Sequence, residues 1–207
     1  AYRMSRRALL AAGGMTASMA LAGCSEGGEA GSTVDPDSID DGERPALGDE
    51  AAPVTVTVFQ DSSCPHCGTF KQDVAPGLIE QYVEPGDVRY LHADFPIPVD
   101  ERWSYAVASA ARAVFEEAGN DGFWPFTREI YTHQNDYSLE TIESVADEIA
   151  DVGAAAREAA DNETYRDRIE DDRERGLAWG VEGTPTVFVG DEAVGISDIP
   201  DAIEGTQ

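Results

Sequence analysis

The chain has 207 residues, of which 42% are hydrophobic, so it is long enough for one domain with a tail and wholesale disorder is excluded. Acidic residues number 41 against 14 basic ones, and the net charge of -27 argues against nucleic acid as a partner, because phosphates need cations opposite them. Only one basic residue, Lys71, is a lysine. An acid-rich, lysine-poor chain is typical of a halophilic protein, whose self-repulsion is screened in concentrated salt, although an ordinary acidic protein is the alternative.

Residues 1–23 resemble an export signal. They contain no acid, and Ser5-Arg6-Arg7 followed by an apolar stretch is similar to a twin-arginine signal. The stretch is too short to span a bilayer, and it ends in Leu21-Ala22-Gly23-Cys24, which resembles a lipobox. We therefore expect a lipid anchor on Cys24 and a location on the extracytoplasmic face of the cell membrane. The alternative is a short buried helix with an incidental cysteine.

The segment that follows Cys24 is predicted to be a flexible tether over residues 24–51. Residues 25–50 include nine acids, five glycines and two prolines but no aromatic residue. Such a stretch buries too little apolar surface to offset the entropy lost on ordering it. The folded domain is accordingly expected over residues 52–207.

The domain opens with a strand, a helix and a second strand. Val54 to Phe59 alternates β-branched residues and predicts a strand. After a short turn, the sequence from Cys64 to about Val83 is helical in character, with an interruption expected near Pro76-Gly77. Asp87 to Ala93 predicts the second strand, and a strand–helix–strand unit favours a parallel pair.

A long helical region separates this unit from the remaining strands. Apolar residues recur at helical spacing from Trp103 onward, and the alternating acids and arginines of residues 170–175 are interpreted as pairs on a helix surface. Thr186 to Val189 then predicts a third strand, with a hairpin into residues 192–197 and a helix from Ile199. The expected fold is α/β, in the thioredoxin arrangement with a helical insertion before the third strand.

The chemistry is predicted at Cys64-Pro65-His66-Cys67. A cysteine at the start of a helix is stabilised as a thiolate by free backbone N–H groups and by the positive end of the helix dipole. Pro65 suits the first helical position, and a protonated His66 would add a second positive charge. Stabilising the Cys64 thiolate favours the reduced form of the pair, so the pair would oxidise other thiols, with Cys67 resolving mixed disulfides.

The Cys64–Cys67 spacing allows three alternatives to redox catalysis. A zinc site would need a second pair of ligands, but His92 and His133 are scattered and are interpreted as a strand-edge and a helix-end histidine. A purely structural disulfide between cysteines this close in the sequence would constrain the fold very little. Binding of a soft metal such as Cu(I) by Cys64 and Cys67, with His66, remains open.

The motif, the helical insertion and Thr184-Pro185 together resemble the DsbA family of thioredoxin-fold thiol–disulfide oxidoreductases, over roughly residues 52–205. The resemblance implies a cis peptide before Pro185 facing Cys64, and a backbone near Thr184 that pairs with an extended substrate. It implies no cofactor beyond the redox-active Cys64–Cys67 disulfide. The implied partners are exported proteins with free thiols and a membrane redox protein that reoxidises the pair.

Two features of the chain bear on this resemblance. Members of the family commonly carry a buried acid six residues before the first cysteine, where this chain has Val58. Its absence removes the usual proton acceptor for Cys67 and a negative charge that would oppose the Cys64 thiolate. Thr184 precedes the expected cis-proline, and related reductases and isomerases can also have a threonine there. A reductase or isomerase therefore stays open as the alternative to an oxidase.

Overall fold

Alternating β-branched residues build the central strand of a five-stranded mixed sheet in the computed structural model, which describes residues 44–206. The strands are β1 (Ala46–Leu47), β2 (Val54–Gln60), β3 (Val88–Asp94), β4 (Thr186–Val189) and β5 (Glu192–Val194). The helices are α1 (Pro65–Thr69), α2 (Ala75–Leu78), α3 (Trp103–Ile130), α4 (Leu139–Ala150), α5 (Gly153–Asn162), α6 (Arg166–Ala178) and α7 (Ile199–Thr206).

The sheet has the order β1-β3-β2-β4-β5, with β2 in the middle. The β2 and β3 strands are parallel, whereas β4 is antiparallel to β2 and forms a hairpin with β5. In this register Val58 lies between His92 and Val187. The predicted parallel pair and terminal hairpin are confirmed, and the middle strand carries the chain directly to the Cys64 motif.

The helix after the motif continues through the predicted interruption. Two π-helical turns, Phe70–Val74 and Ile79–Val83, flank α2. Pro76 has no N–H to donate and cannot close an ordinary helical turn behind it, which accounts for the wider turn there. The result is one continuous helical segment from residue 65 to residue 83, so Pro76 changes the winding without ending the helix.

The helical insertion lies between β3 and β4 in the sequence. Its first helix, α3, is broken at Gly119, whose φ of 61° and ψ of -154° favour glycine. Ser138 caps α4 by accepting a hydrogen bond from the Thr141 N–H at 3.0 Å. The α5 helix was not predicted, because its alanine-rich sequence carries little of the apolar periodicity that marks a helix.

The buried side chains form two main hydrophobic cores. One packs the sheet against α2, the two π-helical turns and α7, and it contains Val58. The other lies within the insertion, and Cys64 and Cys67 belong to it. The cysteine pair therefore lies where the insertion packs against the start of α1. The predicted thioredoxin fold with a helical insertion is confirmed.

The boundary expected at residue 52 is corrected by the structure. Arg44 is buried, and Ala46 pairs with Leu91 to place β1 at the edge of the sheet. The chain thus joins the fold before the predicted end of the tether, because Arg44 has a buried ion-pair partner in Asp172. The predicted export signal (1–23), Cys24 and most of the tether lie outside the described residues. Within residues 44–206, no helix has the length and apolar character needed to cross a membrane.

A buried ionic cluster joins β3 to the insertion helices. Asp172 accepts hydrogen bonds from Arg44 and from Arg112, the latter at 2.6 Å, and Arg112 Nε also donates to Asp94 at 2.8 Å. His92 Nε2 lies 2.9 Å from Asp94 Oδ1. Two interpretations are therefore wrong: Asp172 is no surface acid, and His92 is buried in a strand with neighbours on both sides.

Candidate active site

The Cys64-Pro65-His66-Cys67 motif lies where β2 passes into α1. Cys64 is the N-cap residue, in extended backbone with φ -77° and ψ 121°, and Pro65 begins the helix. The Cys64 carbonyl accepts a hydrogen bond from the Gly68 N–H at 3.1 Å. Because the first N–H groups of a helix have no partner within it, they are available to the Cys64 sulfur.

Asp61 holds the turn before the motif, a residue that the sequence analysis missed. Its carboxylate accepts hydrogen bonds from the N–H groups of Ser63 at 2.7 Å and Ile97 at 2.8 Å. Its carbonyl accepts from the Cys64 N–H at 3.1 Å. Burial raises the pKa of Asp61, and the two N–H donors oppose that effect. The sequence could have indicated the bond to Ser63, because an aspartate commonly accepts from the N–H two residues later in a turn. The bond to Ile97 has no such local signal.

The two cysteines are free thiols with opposite acidities. The hydrogen bond from the Cys67 thiol is the largest of the effects that lower the pKa of Cys64 to about 5. Burial opposes it, while the Thr184 side chain and the N–H groups of His66 and Cys67 support the thiolate. Burial raises the pKa of Cys67 well above its usual range, and its bond to Cys64 adds to this because donation requires the proton. At neutral pH Cys64 is therefore the thiol of the pair that ionises more readily.

The Thr184–Pro185 peptide bond is cis and lies against Cys64. Cys64 Sγ lies 3.3 Å from the Thr184 carbonyl oxygen, to which it donates in its thiol form. The Thr184 hydroxyl has no hydrogen-bond partner among residues 44–206 and is thus free to face the ionised sulfur. Residues some 120 positions apart in the sequence are brought together as the resemblance implied.

The insertion clamps the backbone of the motif. Gln134 Nε2 donates to the carbonyls of Ser62 at 3.0 Å and Cys64 at 2.8 Å, and the Tyr137 hydroxyl donates to Ser62 at 2.7 Å. These contacts join the chain after α3 to the turn before α1. No local pattern predicted them, because the partners are about 70 residues apart.

The remaining predicted residues lie at the rim and behind the site. Pro65 and His66 are exposed, and the His66 backbone N–H is one of the groups that support the Cys64 thiolate. Val58, at the position where members of the resembled family commonly carry a buried acid, is fully buried in the sheet core. Among residues 44–206, no three His, Cys, Asp or Glu side chains are grouped as metal ligands.

The comparison with known families agrees with this geometry. The family model described as "Thioredoxin" matches residues 40–205. Disulfide bond formation protein D of Bacillus subtilis is 27% identical over 159 residues, covering 73% of this chain and 69% of that protein. The match thus spans the sheet, the motif and the insertion.

Solved structures have the same fold. Oxidised BdbD from Bacillus subtilis superposes with a TM-score of 0.73 at 26% identity, over 80% of this chain and 93% of the other. DsbA from Chlamydia trachomatis superposes with a TM-score of 0.70 over 78% and 90%, and at 20% identity it bears on the fold alone. Taken with the family match and the paired cysteines, these likenesses mean that the chain belongs to the DsbA-like family of thioredoxin-fold proteins and is a thiol–disulfide oxidoreductase.

Proposed function

We propose that the protein donates its Cys64–Cys67 disulfide to exported proteins that carry free thiols. The observation that carries the proposal is the unequal acidity of the pair. A Cys64 thiolate with a pKa of about 5 stabilises the reduced form, and a pair that prefers to be reduced oxidises other thiols. The name of the Bacillus subtilis relative, a disulfide bond formation protein, supports the same direction.

The reaction has two exchange steps. A substrate thiolate attacks Cys64 Sγ, the Cys64–Cys67 bond breaks, and its electron pair remains on Cys67, which then takes a proton. A second substrate thiolate attacks the substrate sulfur of this mixed disulfide, and Cys64 leaves as the stabilised thiolate. The substrate loses two electrons and gains a disulfide, while the protein's pair becomes a dithiol.

The Thr184-Pro185 segment is the proposed substrate platform. Its backbone lies beside Cys64, and an extended substrate segment could pair with it as an added strand. Pro65 and His66 are exposed at the same rim, and a protonated His66 would strengthen the attraction for a thiolate. In this proposal the site needs no cofactor beyond the disulfide itself.

The proposed location is the outer face of the cell membrane. It rests on the sequence alone, on the likeness of residues 1–23 to a twin-arginine signal and of Cys24 to a lipidated cysteine. A protein that donates disulfides there needs a membrane redox partner that withdraws two electrons from the reduced pair. A protein with this charge is proposed to work in concentrated salt.

The test is oxidation of a reduced model protein in molar salt. The full chain with Cys24→Ser, so that only the active-site cysteines remain, should introduce disulfides into reduced ribonuclease and lose its own disulfide in equal amount. Cys64→Ser in the same background should abolish the transfer. Cys67→Ser should be given oxidised ribonuclease instead: its Cys64 thiolate attacks a substrate disulfide and releases one substrate thiolate, and the mixed disulfide accumulates because no Cys67 thiol resolves it. Non-reducing electrophoresis detects this species.

The outcomes separate the candidate functions. Net reduction of the substrate's disulfides under the same conditions would favour a reductase. Transfer that survived Cys64→Ser would overturn the proposed mechanism. Stoichiometric metal on the purified protein, with both thiols unreactive, would favour the soft-metal alternative.

A further inference from the structure

Lys71 has chemistry that the exchange mechanism above does not use. It is the single lysine of the chain and lies four residues after Cys67, in the first π-helical turn. It is 4% exposed. Arginine keeps its charge at any ordinary pH, whereas a buried lysine can lose it. The chain thus places its one ionisable amine inside the fold, directly behind the motif.

The surroundings of Lys71 leave its charge without a hydrogen-bonded partner. Its Nζ lies 4.9 Å from the centre of the Trp124 ring and 5.6 Å from that of Tyr131, over their faces. No described residue forms a hydrogen bond with Nζ. Burial lowers the pKa of Lys71 to about 8, against the attraction of Cys67 and Asp94. The amine is therefore charged at neutral pH and becomes neutral in mild alkali.

Asp94 is already committed to other partners. One of its oxygens lies 2.9 Å from His92 Nε2, and the other accepts from Arg112 Nε at 2.8 Å. Cys67 has only the Asp61 N–H, at 3.5 Å, as a backbone donor to its sulfur. Of the two anions that attract Lys71, the Cys67 thiolate is the one that lacks a cation of its own.

A pocket adjoins Lys71. The pocket has a volume of about 1020 Å³, and both Lys71 and Tyr90 line it. The Tyr90 hydroxyl, like the Lys71 amine, has no hydrogen-bond partner among the described residues. The lining has polar as well as apolar side chains, and a pocket of this volume can hold water. The other charged residues of the lining are Glu80, Glu84, Arg128, Glu129 and Glu148.

We propose that Lys71 is a positioning residue whose buried ammonium stabilises the Cys67 thiolate formed when the disulfide is donated. The inference rests on the proposed function. When a substrate thiolate attacks Cys64, the electron pair of the broken bond resides on the buried Cys67, and Val58 supplies no acid to protonate it. A less basic leaving thiolate departs faster, so the Lys71 charge accelerates this step.

The sign of the pH dependence follows from the amine. Below a pH of about 8 Lys71 is charged and assists Cys67; above it the amine is neutral and the assistance is lost. Lys71→Met removes the charge and keeps a long unbranched side chain. Lys71→Arg keeps the charge at every pH, so its advantage over Lys71→Met should persist in alkali, where that of the wild type disappears.

The experiment follows reduction of the Cys64–Cys67 disulfide by a model peptide thiol, by stopped-flow fluorescence between pH 6 and 10. All proteins carry Cys24→Ser. At pH 7 we expect Lys71→Met to react about threefold to tenfold more slowly than its parent, because a more basic leaving thiolate departs more slowly. The ratio should approach one in alkali. The alkylation curve of Cys64 in the reduced protein should not move, since Cys67, and not Cys64, is the thiol whose charge attracts Lys71.

The outcomes of this experiment separate the inference from the proposed function. Equal rates for Lys71→Met and its parent at every pH would overturn the inference, while the exchange itself would still stand. A parent that does not exchange at all would overturn the proposed function instead.

A second measurement covers the case in which Lys71→Met does not fold. Labelling with ¹³Cε-lysine gives a single lysine resonance in the folded parent, with no assignment needed. It should titrate with a pKa near 8. A midpoint near the ordinary value of about 10.4 would mean a solvated amine and would overturn the inference.

Discussion

Cys67→Ala should raise the pKa of the Cys64 thiol. The hydrogen bond from Cys67 is the largest of the effects that lower this pKa to about 5. A hydrogen bond to a charged group contributes about 1.5–3 kcal/mol, which corresponds to a change in pKa of about one to two. The variant should therefore have a Cys64 pKa of about 6 to 7. At pH 6 this would lower the thiolate fraction about twofold to tenfold.

The pKa would be measured on the reduced protein carrying Cys24→Ser. Thiolate absorbance at 240 nm and the rate of alkylation by iodoacetamide report the same ionisation independently. Cys67→Ser is the matched control, because its hydroxyl can still donate to Cys64. We expect its Cys64 pKa to lie between those of the parent and Cys67→Ala.

An unchanged pKa of about 5 in Cys67→Ala would refute this reasoning. It would mean that the helix N–H groups and the Thr184 side chain hold the thiolate without help from Cys67. A rise in Cys67→Ser as large as that in Cys67→Ala would instead point to lost packing in the insertion core, where both cysteines are buried.

The buried ionic cluster and the helix caps give three further predictions. Asp172→Asn should lower the free energy of unfolding by about 3–5 kcal/mol in guanidinium titrations, because Arg112 loses a buried charge partner; an equally stable variant would contradict this. Burial alone would raise the pKa of Asp94, but Arg112 and His92 hold it well below its usual range. The contribution of Asp94 to the free energy of unfolding should thus be fully present above about pH 4 and be lost as the pH falls towards that lowered pKa. A free energy of unfolding that stays constant through this acid range would be inconsistent with the pairing. Ser138→Ala should cost about 1 kcal/mol in thermal unfolding through the lost cap; no change would mean that water replaces the hydroxyl.

The sheet and the motif were predictable because their signals are local. Alternating β-branched residues marked β2 and β4, and Pro65 marked the start of the helix. By contrast, β1 is two residues long and follows an acidic segment, so its sequence carries no strand pattern. Its place depends on the pairing with β3 and on Arg44, whose partner Asp172 lies 128 residues away.

In the candidate site, too, local signals were predictable and long-range contacts were not. The cysteines and Thr184-Pro185 were found from spacing and resemblance, and the structure brings Cys64 and Thr184 within 3.3 Å. Gln134 donates to backbone carbonyls of the motif turn. Any side-chain amide within reach could do the same, so the sequence around Gln134 gave no sign of this role. Lys71 was visible as the one lysine, but its burial follows from the packing of α3 over the helix. Long-range partners account for what the sequence did not reveal.

The most direct test of the central claim is the equilibrium reduction potential of the Cys64–Cys67 pair. It would be measured in glutathione buffers at molar salt, on the full chain with Cys24→Ser. The account predicts a value well above about -180 mV, because the stabilised Cys64 thiolate favours the reduced pair. A value of about -270 mV would contradict the claim that the protein donates its disulfide and would make it a reductase.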